Sequence, residues 1–216
     1  MLSEKLVLKN PLLFIYKTVG CNLRNEMREK IKDFYENQKF ARITRKVAED
    51  WDELSRGYIV DFSNDFVVIQ ECDDFRLLGF NILPIKDFKN IRFNNNDKYY
   101  DKIMSLENEK KDIGIKTKVD LTDWKTIFQS LRKKKKNVIV ECENPEIGSF
   151  TIGLIKRITE KNVFIQYFNA TGLLNEKSTK IEFENITKIM FDDRYIDIFS
   201  KYLRERKKKK TTANNV

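Results

Sequence analysis

The feature that most constrains this chain is a likeness between its own halves. At an offset of 96 residues Ile43 matches Ile139, Gly57 matches Gly153, Ile59 matches Ile155, Val67 matches Val163, Ile69 matches Ile165 and Gln70 matches Gln166. A shift of two residues then pairs Ile91 with Ile189 and Phe93 with Phe191. The 96-residue offset returns for Asp97 and Asp193, Tyr99 and Tyr195, and Asp101 and Asp197. Matches that keep order and local pattern together point to two copies of one unit, residues 22–106 and 121–205, so one fold must suit both.

Each copy opens with helical spacing. Leu23, Met27, Ile31 and Phe34 recur behind Asn22 as an N-cap, and Trp124, Ile127, Phe128 and Leu131 recur behind Thr122. Five short runs rich in branched and aromatic residues follow, predicting strands near 41–47, 57–62, 66–71, 79–85 and 90–93 in copy one. In copy two they fall near 137–143, 150–158, 162–168, 179–183 and 187–191. Ser63-Asn64-Asp65 and Thr159-Glu160-Lys161 are polar clusters suited to the hairpin turn between second and third strands. A short helix carrying Tyr99, Tyr100 and Ile103, or Tyr195, Ile196 and Phe199, closes each copy. The predicted fold is mainly β with short helices (α+β): two tandem five-stranded small barrels, each preceded by a helix and followed by a short one. Closure into a barrel removes the unpaired edges of a flat sheet. Residues 1–21 are an N-terminal extension, 107–120 a charged linker without periodicity, and 206–216 a basic tail.

The run Gly57-Tyr58-Ile59-Val60-Asp61-Phe62-Ser63-Asn64-Asp65-Phe66-Val67-Val68-Ile69 resembles the first signature of Sm-like barrels. Copy two keeps a looser version from Gly153 to Ile165, and an SH3-like barrel shares much of the pattern. The resemblance implies a small barrel that contacts RNA. Yet where that family places the Asp and Asn of its uridine pocket, this chain has Ser63 and Val67, then Thr159 and Val163. The family's Arg-Gly pair is replaced by Lys86-Asp87 and Glu184-Asn185. The pattern also resembles bacterial proteins with a Gly-x-Ile/Val strand and a Ser-rich turn, a likeness that implies no activity. A fold can persist without its site.

Composition narrows the chemistry. The 216 residues include no His, which removes Ser-His-Asp and Cys-His nucleophile activation, imidazole metal ligation and imidazole pH switching. Cys21, Cys72 and Cys142 are odd in number and widely spaced with no CxxC, arguing against a disulfide framework or a zinc knuckle and for reduced thiols in the cytoplasm. The apolar residues before Cys21 are broken by Lys9, Asn10, Pro11 and Lys17, unlike a lipoprotein signal. No stretch reaches the roughly 20 apolar residues needed to span a bilayer. Asp61, Asp65, Glu71, Asp73 and Asp74 form the densest acidic group, and a metal-dependent hydrolase built on Asp61 and Asp73 is the one catalytic alternative. Copy two has Arg157, Lys161, Tyr167, Asn169 and Ala170 at the matching positions, so polar strand flanks explain the acids equally well. No catalytic residue, metal or cofactor is predicted.

Two runs, Arg132-Lys133-Lys134-Lys135-Lys136 and Arg204 to Lys210, account for the whole net charge of +9. A nucleic-acid interface, if present, therefore belongs to copy two. Arg132, Lys133, Lys134, Lys135, Lys136, Arg157, Lys161, Arg206, Lys207 and Lys208 are the candidate phosphate contacts, with Tyr167 as a stacking partner. The expected function is a non-catalytic adaptor that contacts RNA or another polyanion. The alternative is a protein-only scaffold whose lysines confer solubility.

Overall fold

The computed structural model describes residues 25–205. Cys21, Asn22 and the basic residues Arg206, Lys207 and Lys208 lie outside them. In chain order the elements are α1 (25–36), β1 (Phe40–Ala48), β2 (Trp51–Phe62), β3 (Phe66–Asp73), β4 (Arg76–Pro84), β5 (Phe88–Arg92) and α2 (Asn95–Leu106). They continue with α3 (Trp124–Lys133), β6 (Asn137–Cys142), β7 (Ser149–Ile158), β8 (Asn162–Tyr167), β9 (Thr179–Glu182), β10 (Lys188–Phe191) and α4 (Arg194–Ser200).

The expectation of two separate five-stranded barrels is overturned. All ten strands form one antiparallel sheet in the order β5-β1-β2-β3-β4-β10-β6-β7-β8-β9. Neither group of five closes on itself, because β4 gives its outer edge to β10 instead of to β5. Ile82 pairs with Ile189, Asn81 with Met190 and Phe80 with Phe191, whose rings stack at 5.4 Å. Edge hydrogen bonds that a closed barrel would satisfy internally are satisfied here by the other half of the chain. The outer edges of the sheet are β5 and β9.

Both faces of this sheet are covered, which explains the unbroken apolar run of β3. Alternate side chains point to opposite faces. Val67 and Ile69 pack with Ile31 and Phe34 of α1, whereas Phe66 and Val68 join Ile127, Phe128 and Leu131 of α3. The α3 core also takes in Val138 and Val140 of β6, Val163 and Ile165 of β8 and Ile189 of β10, so α3 packs against strands from both halves. Residues 107–120 are not a loose linker. Ile113, Ile115 and Val119 pack into that core, and Thr117 Oγ1 donates to Asp192 at 2.9 Å.

The β2–β3 and β7–β8 hairpins share their details. Ile59 faces Ile69 and Ile155 faces Ile165, and each register then slips by one residue, at Val60 and at Lys156. Each slip is a bulge that bends its strand. Gly57 (φ 150°) and Gly153 (φ 154°) sit so close to the neighbouring strand that a Cβ would lie 2.0 Å from the carbonyl oxygen of Gln70 or Gln166. Ser63 Oγ accepts from the amides of Asp65 and Phe66, and Thr159 Oγ1 accepts from Asn162, closing both turns alike.

One inward position of β1 breaks the apolar alternation. Arg45 is 1% exposed. Its guanidinium donates to both carboxylate oxygens of Glu143, 98 residues away, at 2.7 and 2.8 Å, and to Ser55 Oγ and the Thr187 carbonyl. Lys188 reaches Glu141 at 2.7 Å and Glu143 at 3.1 Å. Burial raises the Glu143 pKa, but the Arg45 hydrogen bonds and charge, with Lys188 and Thr187, outweigh it and hold the carboxyl at about 2. Near the same cations Asp87 is pushed up to about 6 by burial, against the pull of Lys86 and Arg45.

Two outcomes follow from this architecture. Gly153→Ala forces the clash and the left-handed backbone together, and is expected to cost about 3 kcal/mol or more in urea unfolding. Glu143 has a folded pKa below its ordinary 4.5. Its contribution is therefore full above pH 4.5 and is lost as pH falls through about 2. The stability gap between the wild type and Glu143→Gln should be about 2–3 kcal/mol near neutrality and should narrow toward pH 2. A gap independent of pH would show that the pair is not ionised as described.

Candidate nucleic-acid interface

The first lysine run grows out of the end of α3. This helix starts one residue later than the sequence suggests: Asp123, not Thr122, is the N-cap, accepting from the Thr126 amide at 2.7 Å while Thr126 Oγ1 accepts from the Asp123 amide. Its buried stripe is Ile127, Phe128 and Leu131. Arg132 and Lys133 stand in the last turn, where cations suit the negative end of the helix. The helix closes with a Schellman motif. The Lys136 amide donates to the Leu131 carbonyl at 3.0 Å and the Lys135 amide to Arg132 at 2.9 Å. Lys135 occupies the left-handed position (φ 54°) that glycine normally fills. In the first half Gln38 (φ 42°) takes the corresponding place, and Lys39 donates back to Phe34 at 3.1 Å.

The corner from Lys134 to Asn137 abuts α4. Lys136 pairs with Asp192 at 2.5 Å, and Asn137 Nδ2 donates to Ser200 Oγ at 2.6 Å. Asp193 caps α4 by accepting from the Tyr195 amide at 2.8 Å. After α4 the chain turns back over residues 169–174. The Arg204 amide donates to the Gly172 carbonyl, its carbonyl accepts from Leu174, and its guanidinium donates to the Thr171 carbonyl at 2.7 Å. Lys134, Lys135, Lys201 and Arg204 are exposed. The α3–β6 corner is thus tied to α4 through Asn137 and Ser200, whereas Arg204 is tied to the 171–174 turn, and Arg206, Lys207 and Lys208 follow in sequence outside the described residues.

The structure does not unite all the candidates. Lys125, in the first turn of α3, pairs with Glu160 in the β7–β8 turn at 2.5 Å. Arg157 and Lys161 flank that turn, at the far end of a 10-residue helix about 15 Å long from Lys133. Arg157 instead stacks its guanidinium 3.8 Å over the Phe164 ring. Tyr167 is half-buried and packs with Ile139, Ile152, Phe168 and Ile196 under α4, so it is a core residue rather than a stacking platform. The aromatics on and just after α4 that face outward are Tyr195, 50% exposed, and Tyr202, 71% exposed. Sequence reasoning missed Tyr202 altogether and used Tyr195 only to mark a helix. The couples Arg194-Tyr195 and Lys201-Tyr202, which alternate cation and ring, were the available signal.

The acidic group of the first half does not converge. Arg56 pairs with Asp73, Asn81 donates to Glu71 at 3.0 Å, and Asp61 accepts from the Phe62 amide. Among the described residues no group of three or more His, Cys, Asp or Glu is placed to hold a metal ion. Cys72 and Cys142 are free and buried, and burial pushes both thiols up. Also among the described residues, no helix is long and apolar enough to cross a membrane. No family model, curated protein or solved structure matches the chain.

Lys135→Gly should relieve the left-handed strain and raise stability by about 1 kcal/mol in urea unfolding. A loss of stability would mean that the lysine side chain holds the corner.

Proposed function

We propose that this chain is a non-catalytic polyanion-binding module with RNA as its ligand. The contact surface would be the α3–β6 corner, Lys201, Arg204 and the basic residues that follow. The observation that carries this reading is the seating of the α3–β6 lysine corner against α4, where Asn137 meets Ser200, beside the exposed Lys201 and the outward rings of Tyr195 and Tyr202. Phosphate contacts supply affinity without sequence preference, and exposed rings beside cations offer stacking for unpaired bases. Lys135 adds support, since it stands where glycine would be more stable. The matching glycines, bulges and turns of the two hairpins support an origin by duplication of one segment. They accord with the Sm-like resemblance, although the residues of that family's uridine pocket are replaced. A second reading, a protein-only scaffold, is favoured by the outer edges of β5 and β9, to which a partner strand can add.

Salt dependence separates the two readings. Binding of a labelled single-stranded RNA, followed by anisotropy between about 50 and 200 mM salt, should weaken steeply. Lys133→Gln, Lys134→Gln and Lys135→Gln together should flatten the slope of log K against log salt by about 2. Arg157→Gln with Lys161→Gln should leave the slope nearly unchanged. No binding by the wild type, or an unchanged slope in the triple variant, would favour the scaffold.

A further inference from the structure

A second surface, of opposite charge, lies where the two halves meet. The β1–β2 hairpin tip, Ala48-Glu49-Asp50-Trp51, approaches the β6–β7 hairpin. Between them is a shallow, widely open cleft of about 360 Å³ lined by Trp51, Glu53, Cys142, Pro145 and Phe150. Trp51 is 49% exposed and Phe150 51% exposed. The Trp51 indole donates to Glu53 Oε1 at 2.7 Å, which fixes the ring's orientation. No aromatic partner covers either ring among the described residues. Ile147, in the β6–β7 turn, is also exposed. Half-exposed aromatic rings gathered at one cleft are costly to leave in water and mark contact sites, with tryptophan the strongest anchor.

The rim gives the sign of the occupant. Arg45 and Lys188 are committed to Glu143 and Glu141, and Lys89 pairs with Asp52 at 2.6 Å. Among the described residues no ion pair engages Glu49, Asp50, Glu53 or Glu146. Lys46, opposite Asp52 in the β1–β2 register, is a cation here that no ion pair engages among the described residues, so the unmatched charge around the rings is net negative. That repels phosphate and attracts cations, unlike the α4 corner.

We propose that this cleft is a docking site for a basic peptide segment of a partner protein, one in which an aromatic or aliphatic anchor lies between Lys or Arg residues. The anchor inserts between Trp51 and Phe150, and its flanking cations meet Glu49, Asp50 and Glu146. Charge steers the encounter and the rings supply the residence time. The site is independent of the polyanion surface, so neither reading needs the other.

The test uses the full chain and a labelled synthetic peptide, Lys-Leu-Lys-Phe-Lys-Leu-Lys, followed by anisotropy. Two controls replace its apolar residues with Ser or its Lys with Glu. The basic apolar peptide should bind, and both controls should bind at least about tenfold more weakly. Trp51→Ala and Phe150→Ala should each weaken it about tenfold or more, and Glu49→Gln with Asp50→Asn should weaken it in a salt-dependent way. Circular dichroism checks that these exposed-site variants stay folded. Arg132→Gln with Lys133→Gln should bind the peptide as the wild type does. Equal binding of the Lys-Ser peptide, an undiminished Trp51→Ala, or absence of binding would overturn the proposal. Concentration-dependent self-association lost in Trp51→Ala would do so too, by making a second copy the occupant.

Discussion

A guanidinium that cannot reach water must be matched where it lies, and Arg45 finds its match on a segment nearly half the chain away. Transfer of that charge from solvent costs several kcal/mol. Only the bidentate carboxylate of Glu143, with Ser55 and the Thr187 carbonyl, offsets it. The pair adds little net stability compared with apolar residues of the same volume, but it is selective. An arrangement that separates β1 from the end of β6 strands a buried charge at about 3–5 kcal/mol, a large share of a typical folding free energy. The β4–β10 ladder and the Arg45–Glu143 pair thereby specify one relative placement of the halves, and the cleft between the β1–β2 and β6–β7 hairpins inherits it.

That placement decides which side chains become neighbours. Because the sheet runs continuously through β4 and β10, α3 lies on strands of both halves, while contacts within the second half seat its C-terminal corner against α4. Two closed barrels joined by a linker would have left the lysine corner and the C-terminal segment within one unit. They would not have brought the β1–β2 tip beside the β6–β7 hairpin. The aromatic cleft is thus a product of the joint, whereas the basic corner is a product of the second half alone.

The local pattern was legible in the sequence because it depends on neighbours a few residues apart. Each predicted run of branched and aromatic residues falls on one of the ten strands, overrunning its end by at most a residue, and Gly57, Gly153, Ser63 and Thr159 take the turn and close-approach positions that their chemistry suits. The sheet's continuity was not legible. A strand edge such as Asn81-Ile82 reads the same whether it pairs with its own β5 or with a strand more than 100 residues on. Arg45 carries no mark of burial, and Glu143 reads as one more turn residue after β6. The site was half legible: charge runs show in composition, but whether Tyr167 or Tyr202 faces solvent depends on how α4 docks.

The paired halves also separate what the backbone requires from what the surface was free to choose. Gln38 and Lys135 close the same kind of helix end in the same left-handed conformation, so the geometry demands no lysine there. Asp61 and Arg157 follow equivalent bulges, and opposite charges are tolerated at both. Glycine, by contrast, stands at 57 and 153 alike, where any Cβ would strike a carbonyl. Identity is kept where sterics leave one solution, whereas side chains free of that constraint diverge, at exposed corners such as Lys135 and also at buried Arg45, which aligns with Glu141. Divergence with a consistent sign, acidic at the β1–β2 tip and basic at the α3 corner, is not needed for folding and costs some stability at Lys135. The ligands proposed for the two surfaces, a polyanion at the corner and a basic peptide at the cleft, have the signs that this pattern suits, and each surface carries exposed rings beside its charges.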